Sequence, residues 1–111
     1  MTQKEKELLL KDLCARLPYN PRIWITKHLT NIELTPESEV YQYIMCEDCK
    51  PYLCPMASMT EEEKDAYDTL TMCNAPWVVV DWLNAHHFDF RNLIGKGLAL
   101  EAPKGMYEIP N

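Results

Sequence analysis

Glycine, serine, positive charge and long apolar runs are all scarce in this chain, and each scarcity removes a class of function. Three glycines in 111 residues leave no glycine-rich loop able to cradle a phosphate and no dinucleotide fingerprint. Gly95-Lys96-Gly97 lacks the strand before and the helix after that such a loop requires. Ser38 and Ser58 are the only serines; neither stands in a G-x-S-x-G setting, and Ser58 belongs to the helix start at Thr60. Eleven basic residues against seventeen acids, a net charge of −6, argue against nucleic acid as a partner, since displacing phosphate counterions takes lysine and arginine. No apolar run approaches the ~20 residues that cross a bilayer. The start, MTQKEKELLLKDL, has only Leu8 to Leu10 as an apolar cluster, so no signal peptide is read and a cytoplasmic location is expected.

What is present is the composition of an ordinary globular protein, 47% apolar and 25% charged, with no repeat, low-complexity run or linker. Residues 1–111 are expected to form a single domain. Five cysteines, an odd number, read as reduced thiols, several of them small core residues.

Residues 2–17 read as a helix. Thr2 and Glu5 have capping-box spacing, and Leu10, Leu13, Cys14 and Leu17 share one face while Lys4, Lys6, Lys11 and Asp12 stay wet. Pro18 stops it. Residues 22–26, RIWIT, read as a strand, with a turn at His28 to Asn31 and a return strand through Ile32 and Leu34. Val40 to Met45 alternates as a strand, and Tyr52 to Met56 suits a short edge strand, since Pro51 and Pro55 could not sit mid-sheet. From Thr60 the period changes to helical. Thr60 and Glu63 make a second capping box, and Ala66, Tyr67, Leu70 and Cys73 form the stripe. Pro76 suits the first turn of another helix running to His87, against the strand preference of Val78 to Val80. Asp89 is expected to cap a turn from Phe90 to Ile94 closed by Gly95 as a left-handed C-cap, with an irregular tail held down by Leu98, Leu100 and Tyr107. The fold class is α+β: an N-terminal helix, a small mainly antiparallel sheet of three or four strands, and two or three C-terminal helices packed on it.

Three constellations could carry chemistry. Cys46, Cys49 and Cys54 have C-x-x-C spacing plus one thiol, and could hold zinc with Cys73 or a histidine as fourth ligand. No second matching pair follows, so buried thiols are favoured and no metal or other cofactor is expected. His86 and His87 lie near Asp81 and Asp89, and with Asp89 they could serve a small metal-dependent hydrolase. Adjacent helical residues point about 100° apart, however, and neither acid stands four positions from a histidine. The aromatic group Trp77, Trp82, Phe88, Phe90 and Tyr107 reads mostly as core, with a part-exposed tryptophan at 77 or 82 as a binding anchor. Candidate binding residues are therefore Trp77, Trp82, His86 and His87, and no catalytic residue is assigned.

KDLCARLPY (Lys11 to Tyr19), KPYLCPMASMTEEE (Lys50 to Glu63) and DWLNAHHFDFRNLIGKGLALEAPKGMY (Asp81 to Tyr107) resemble small proteins without an assigned activity that are encoded in genomes and prophages of Bacteroides-type gut anaerobes. That family pattern resembles D-V-K-P-Y-L-R-P-M-S-S-M-T-E-E-E around the middle motif. Cys49 stands where it has an apolar residue and Cys54 where it has arginine, which makes Cys49 a core substitute rather than a ligand. The resemblance carries over no catalytic residues. Small size, an acidic surface and the absence of a catalytic constellation lead to the expectation of a non-catalytic phage or mobile-element accessory protein that binds a protein partner.

Overall fold

The computed structural model describes residues 2–40, 43–44, 49–73, 75–103 and 105–107. Helix α1 spans Gln3–Arg16 and opens on the expected capping box: the Glu5 N–H donates to Thr2 Oγ1 at 3.1 Å, and the Thr2 N–H donates to Glu5 Oε1 at 2.8 Å. Its inward face is turned from the expected one. Leu9, Asp12, Leu13 and Arg16 are the buried positions, whereas Leu10 is half-buried and Cys14 exposed. Asp12, expected to stay in water, is wholly buried. A short 3-10 turn at Leu17–Tyr19, carrying Pro18, ends the helix, and Asn20 reverses the chain at a φ of 51°.

Strands β1 (Arg22–Ile25) and β2 (Thr30–Glu33) pair antiparallel with Ile23 opposite Ile32. The following segment departs from expectation. Val40, Tyr43 and Ile44 are helical rather than strand, while Tyr41, Gln42 and Met45 lie outside the described residues. Val40 and Ile44 both reach the core at 4% and 3% exposure. One helical turn unites them as well as alternation would, so packing rather than β-propensity decides.

Strand β3 (Cys49–Leu53) begins three residues before the expected edge strand and lies inside the sheet, whose order is β2-β1-β3-β4. Pro51 is tolerated because β3 pairs only with β1 at that position. The short parallel strand β4 (Leu100–Glu101) joins from Tyr52 onward. The tail was expected to be irregular; pairing with β3 makes part of it a strand.

Helix α2 (Glu61–Met72) carries the second capping box, between Thr60 and Glu63. Helix α3 (Pro76–Ala85) starts on Pro76 as its first residue and ends two residues before the expected stop. The valine run is helical: its propensity penalty is only a few tenths of a kcal/mol per residue, and Pro76 at the first helical position sets the backbone for a helix. The core gathers Leu9, Leu13, Ile23, Ile25, Leu53 and Leu93 between α1, the sheet and the C-terminal turn. That turn closes two residues later than expected. Gly97, at a φ of 75°, occupies the left-handed position, with Gly97 N–H donating to Ile94 O and Leu98 N–H to Leu93 O. Gly95 serves closeness instead: a Cβ there would come within 2.5 Å of the Asn92 side chain.

Candidate functional site

Helix α3 ends in a Schellman motif whose left-handed residue is a histidine. The His87 N–H donates to Asn84 O at 3.1 Å and the Phe88 N–H to Leu83 O at 2.9 Å, with His87 at a φ of 62°. Glycine is the usual occupant of that position, and a side chain there costs about 1–2 kcal/mol. Two further bonds hold the strained residue. Cys54 N–H donates to His87 O and Asp89 N–H to Cys54 O, both at 2.8 Å, so the chain beyond α3 bridges to the end of β3.

The His87 ring stacks on Tyr107, centroids 3.6 Å apart and planes 13° apart. Its Nδ1 is buried with no hydrogen-bond partner. Burial, helped by the nearby Arg16 charge and His86, lowers its pKa from 6.5 to about 4, so the ring stays neutral near pH 7. Tyr107 is held in turn by its hydroxyl, which accepts from the Arg22 N–H at 2.7 Å and donates to Tyr52 O at 2.8 Å. Burial pushes its pKa up to about 12. Tyr107→Phe is expected to leave both backbone groups unpaired and to cost about 1–3 kcal/mol in urea denaturation; a change within error would place those bonds in free exchange with water.

Both histidines, with Cys54, Glu63, Glu101 and Tyr107, line a cleft of about 490 Å³. Burial and then the Glu63 charge push the Cys54 thiol up, which keeps it protonated. His86 stacks on Trp82 at 4.2 Å, its Nδ1 lying 2.9 Å from Trp82 O.

Behind the cleft lies an ionic group that sequence reasoning missed. Arg16 Nε donates to Asp12 Oδ2 at 2.9 Å, Arg16 Nη2 to Asp12 Oδ1 at 3.2 Å, and Arg91 Nη1 to Asp12 Oδ1 at 2.6 Å. Arg16 Nη2 also donates to Phe88 O at 2.7 Å, tying α1 to the residue that follows His87. Both guanidinium groups lie near the Phe90 ring, Arg91 at 4.3 Å and Arg16 at 5.5 Å. The available signal was an Asp-to-Arg pair at i,i+4 on the same face as Leu9 and Leu13.

The other end of the α2–α3 hairpin is exposed. No residue of α2 is buried, and on α3 burial begins only at Leu83. Tyr67 and Trp82 meet across the hairpin at 6.0 Å. Towards the tip, Met72 is 84% and Trp77 69% exposed, with Val78 and Val80 exposed beside them.

The structure thus separates the candidate residues. His86, His87 and half-buried Trp82 gather at the base of the hairpin, and Trp77 stands at its tip. The aromatics expected to be mostly core divide: Phe88 is buried, Trp82, Phe90 and Tyr107 are half-buried, and Trp77 is outside. The Asp89 carboxylate accepts from Leu93 N–H at 2.8 Å and Ile94 N–H at 2.9 Å, so both its oxygens are engaged in the turn. Cys49 faces the core with Pro51 and Leu53. Cys54, an odd number of residues on along the extended chain, faces the cleft. Cys46 lies outside the described residues, and among those described no three His, Cys, Asp or Glu side chains are grouped to hold a metal ion. Nor is any described helix long and apolar enough to cross a membrane. Known family models, curated proteins and solved structures give no match to this chain.

Proposed function

We propose that the chain is a non-catalytic accessory protein of phage or mobile-element type, working in the cytoplasm by binding another protein through the tip of the α2–α3 hairpin. The observation that carries this reading is Trp77, 69% exposed at the apex of an element that contributes no buried residue until Leu83. A large aromatic left in water forgoes roughly 1.5–3 kcal/mol that burial would supply, and tryptophans in such positions dominate interface energetics. The cleft chemistry supports the same side of the question. Its thiol is pushed up, its tyrosine is engaged with backbone at both lone pair and proton, and neither is activated as a nucleophile.

A photo-crosslinking residue placed at position 77, and at exposed Glu7 as control, tests the reading in lysate of the native host. One protein captured at 77 and not at 7 is expected. Trp77→Ala should then weaken binding of that purified partner by ten- to a hundred-fold, as for a hot-spot residue. Equal capture at both positions, or unchanged affinity, would end the proposal.

A second reading has one observation of its own: a histidine kept at a left-handed position, its Nδ1 buried and unpartnered, on the wall of a 490 Å³ cleft. Strain and a perturbed titratable group in a cleft mark a ligand site. Thermal-shift and NMR screening of small polar aromatics would support it through hits that perturb His87 and vanish in His87→Gly. An empty screen would leave the cleft a structural feature.

A further inference from the structure

We infer that the hairpin tip receives a basic amphipathic segment, one in which lysine or arginine flanks an apolar face. This rests on the protein-binding reading above and specifies the chemistry of the partner. From Glu61 to Ala85 the chain carries six acids, Glu61, Glu62, Glu63, Asp65, Asp68 and Asp81, against the single base Lys64. A net charge of −5 out of the whole chain's −6 is thus concentrated in one hairpin. The same hairpin holds four of the five large exposed apolar side chains of the described residues, Met72, Trp77, Val78 and Val80.

The two properties meet on one face of α3. Trp77, Val80 and Asp81 stand at i, i+3 and i+4, a spacing that stacks side chains above one another, and all three are exposed. A cation laid along that stripe meets the Asp81 carboxylate and, one turn away, the indole face of Trp77. Both interactions favour it. Across the hairpin, exposed Asp68, next to the Tyr67 that meets Trp82, stands near the level of Asp81, while exposed Glu61, Glu62 and Asp65 lie nearer the hairpin's base and add a longer-range negative field.

Charge also disfavours the other occupants. A second copy would bring a hairpin of the same sign, Asp81 and Asp68 included, and a lipid surface or a nucleic acid would bring phosphates to carboxylates. A neutral apolar partner would cover Trp77 only by stripping water from Asp81 with nothing to pair it. A basic segment answers both the acids and the apolar side chains.

The probe is a 14-residue lysine/leucine peptide patterned as an amphipathic helix. Its controls are a scrambled peptide of the same composition and a glutamate/leucine counterpart, all titrated against the full chain by isothermal calorimetry. The patterned basic peptide should bind at least tenfold more tightly than either control and weaken several-fold between 50 and 300 mM salt. Trp77→Ala and Asp81→Asn should each lose about tenfold, with circular dichroism confirming that both exposed-site variants fold. Binding of the scrambled peptide as tightly as the patterned one, or of Trp77→Ala as tightly as the parent, would overturn the inference. So would no binding of the patterned peptide at 1 mM. The cross-linked partner separates the two proposals. A neutral or acidic segment cross-linked at 77 overturns the basic-segment inference and leaves protein binding standing, whereas no cross-link at 77 removes both.

Discussion

Asp12→Ala is expected to lose about 3–5 kcal/mol of folding stability, the largest loss among the substitutions considered. Asp12 and Arg16 are wholly buried, and Asp12 is the carboxylate that answers both Arg16 and Arg91. Removing it leaves the Arg16 guanidinium in the interior without a counterion, while Arg91, 18% exposed, can turn to water. A domain of this size has about 5–15 kcal/mol in all, so the variant should unfold at markedly lower urea and be partly unfolded near 37 °C. Asp12→Leu combined with Arg16→Met should recover most of the loss, because an apolar pair carries no desolvation penalty. The same double change removes the Arg16 bond to Phe88 O, so NMR shifts should move around His86 to Phe90 even where stability returns. A cost below 1 kcal/mol for Asp12→Ala would mean that water reaches the group.

Acid is expected to destabilise the fold through His87. In the unfolded chain the ring takes a proton near pH 6.5; in the folded chain burial delays this to about pH 4. Between those values the unfolded state binds more protons, so stability falls as the pH is lowered. The contribution is flat above pH 6.5 and fully lost below about 4, where it amounts to on the order of 3 kcal/mol. His87→Asn keeps a residue that tolerates the left-handed conformation and removes the titration. Urea midpoints of the parent should drop between pH 6.5 and 5, and those of His87→Asn should stay level. Parallel curves for the two proteins would show that the imidazole is not held neutral by its surroundings.

The parts of the fold that were legible in the sequence are those decided within one turn or one hairpin. Thr2 with Glu5, and Thr60 with Glu63, announce two helix starts because the cap needs only residues three apart. Pro18 and Pro76 mark a stop and a start for a reason internal to the ring. The alternation of Ile23 and Ile25 survives as β1. Where the reading failed, a distant contact decided. Asp12 looked wet because a carboxylate at a helix surface normally is, and only Arg16 and Arg91 together make its burial tolerable. Val40 to Met45 looked like strand, and its described residues Val40, Tyr43 and Ile44 turn helical because the core accepts Val40 and Ile44 one turn apart. Gly95 looked like the C-cap, yet the left-handed position fell on Gly97 once Leu98 was drawn under the turn.

The candidate site divides along the same line. The sequence alone marked Trp77, Trp82, Phe88, Phe90 and Tyr107 as an aromatic group, and spacing alone showed that His86 and His87 lack a chelating partner on the helix. The sequence by itself therefore determined the helix boundaries near Thr60 and Pro76 and the α+β class, since both follow from local backbone chemistry and side-chain periodicity. Only the tertiary structure decided that Trp77 faces water while Phe88 does not, that His87 takes a position meant for glycine and stacks on Tyr107, and that Arg16 lies beneath them. Those outcomes depend on which surfaces meet between residues far apart in the chain, from His87 and Tyr107 to Arg16 and Phe88, and no local pattern encodes the free energy of that meeting.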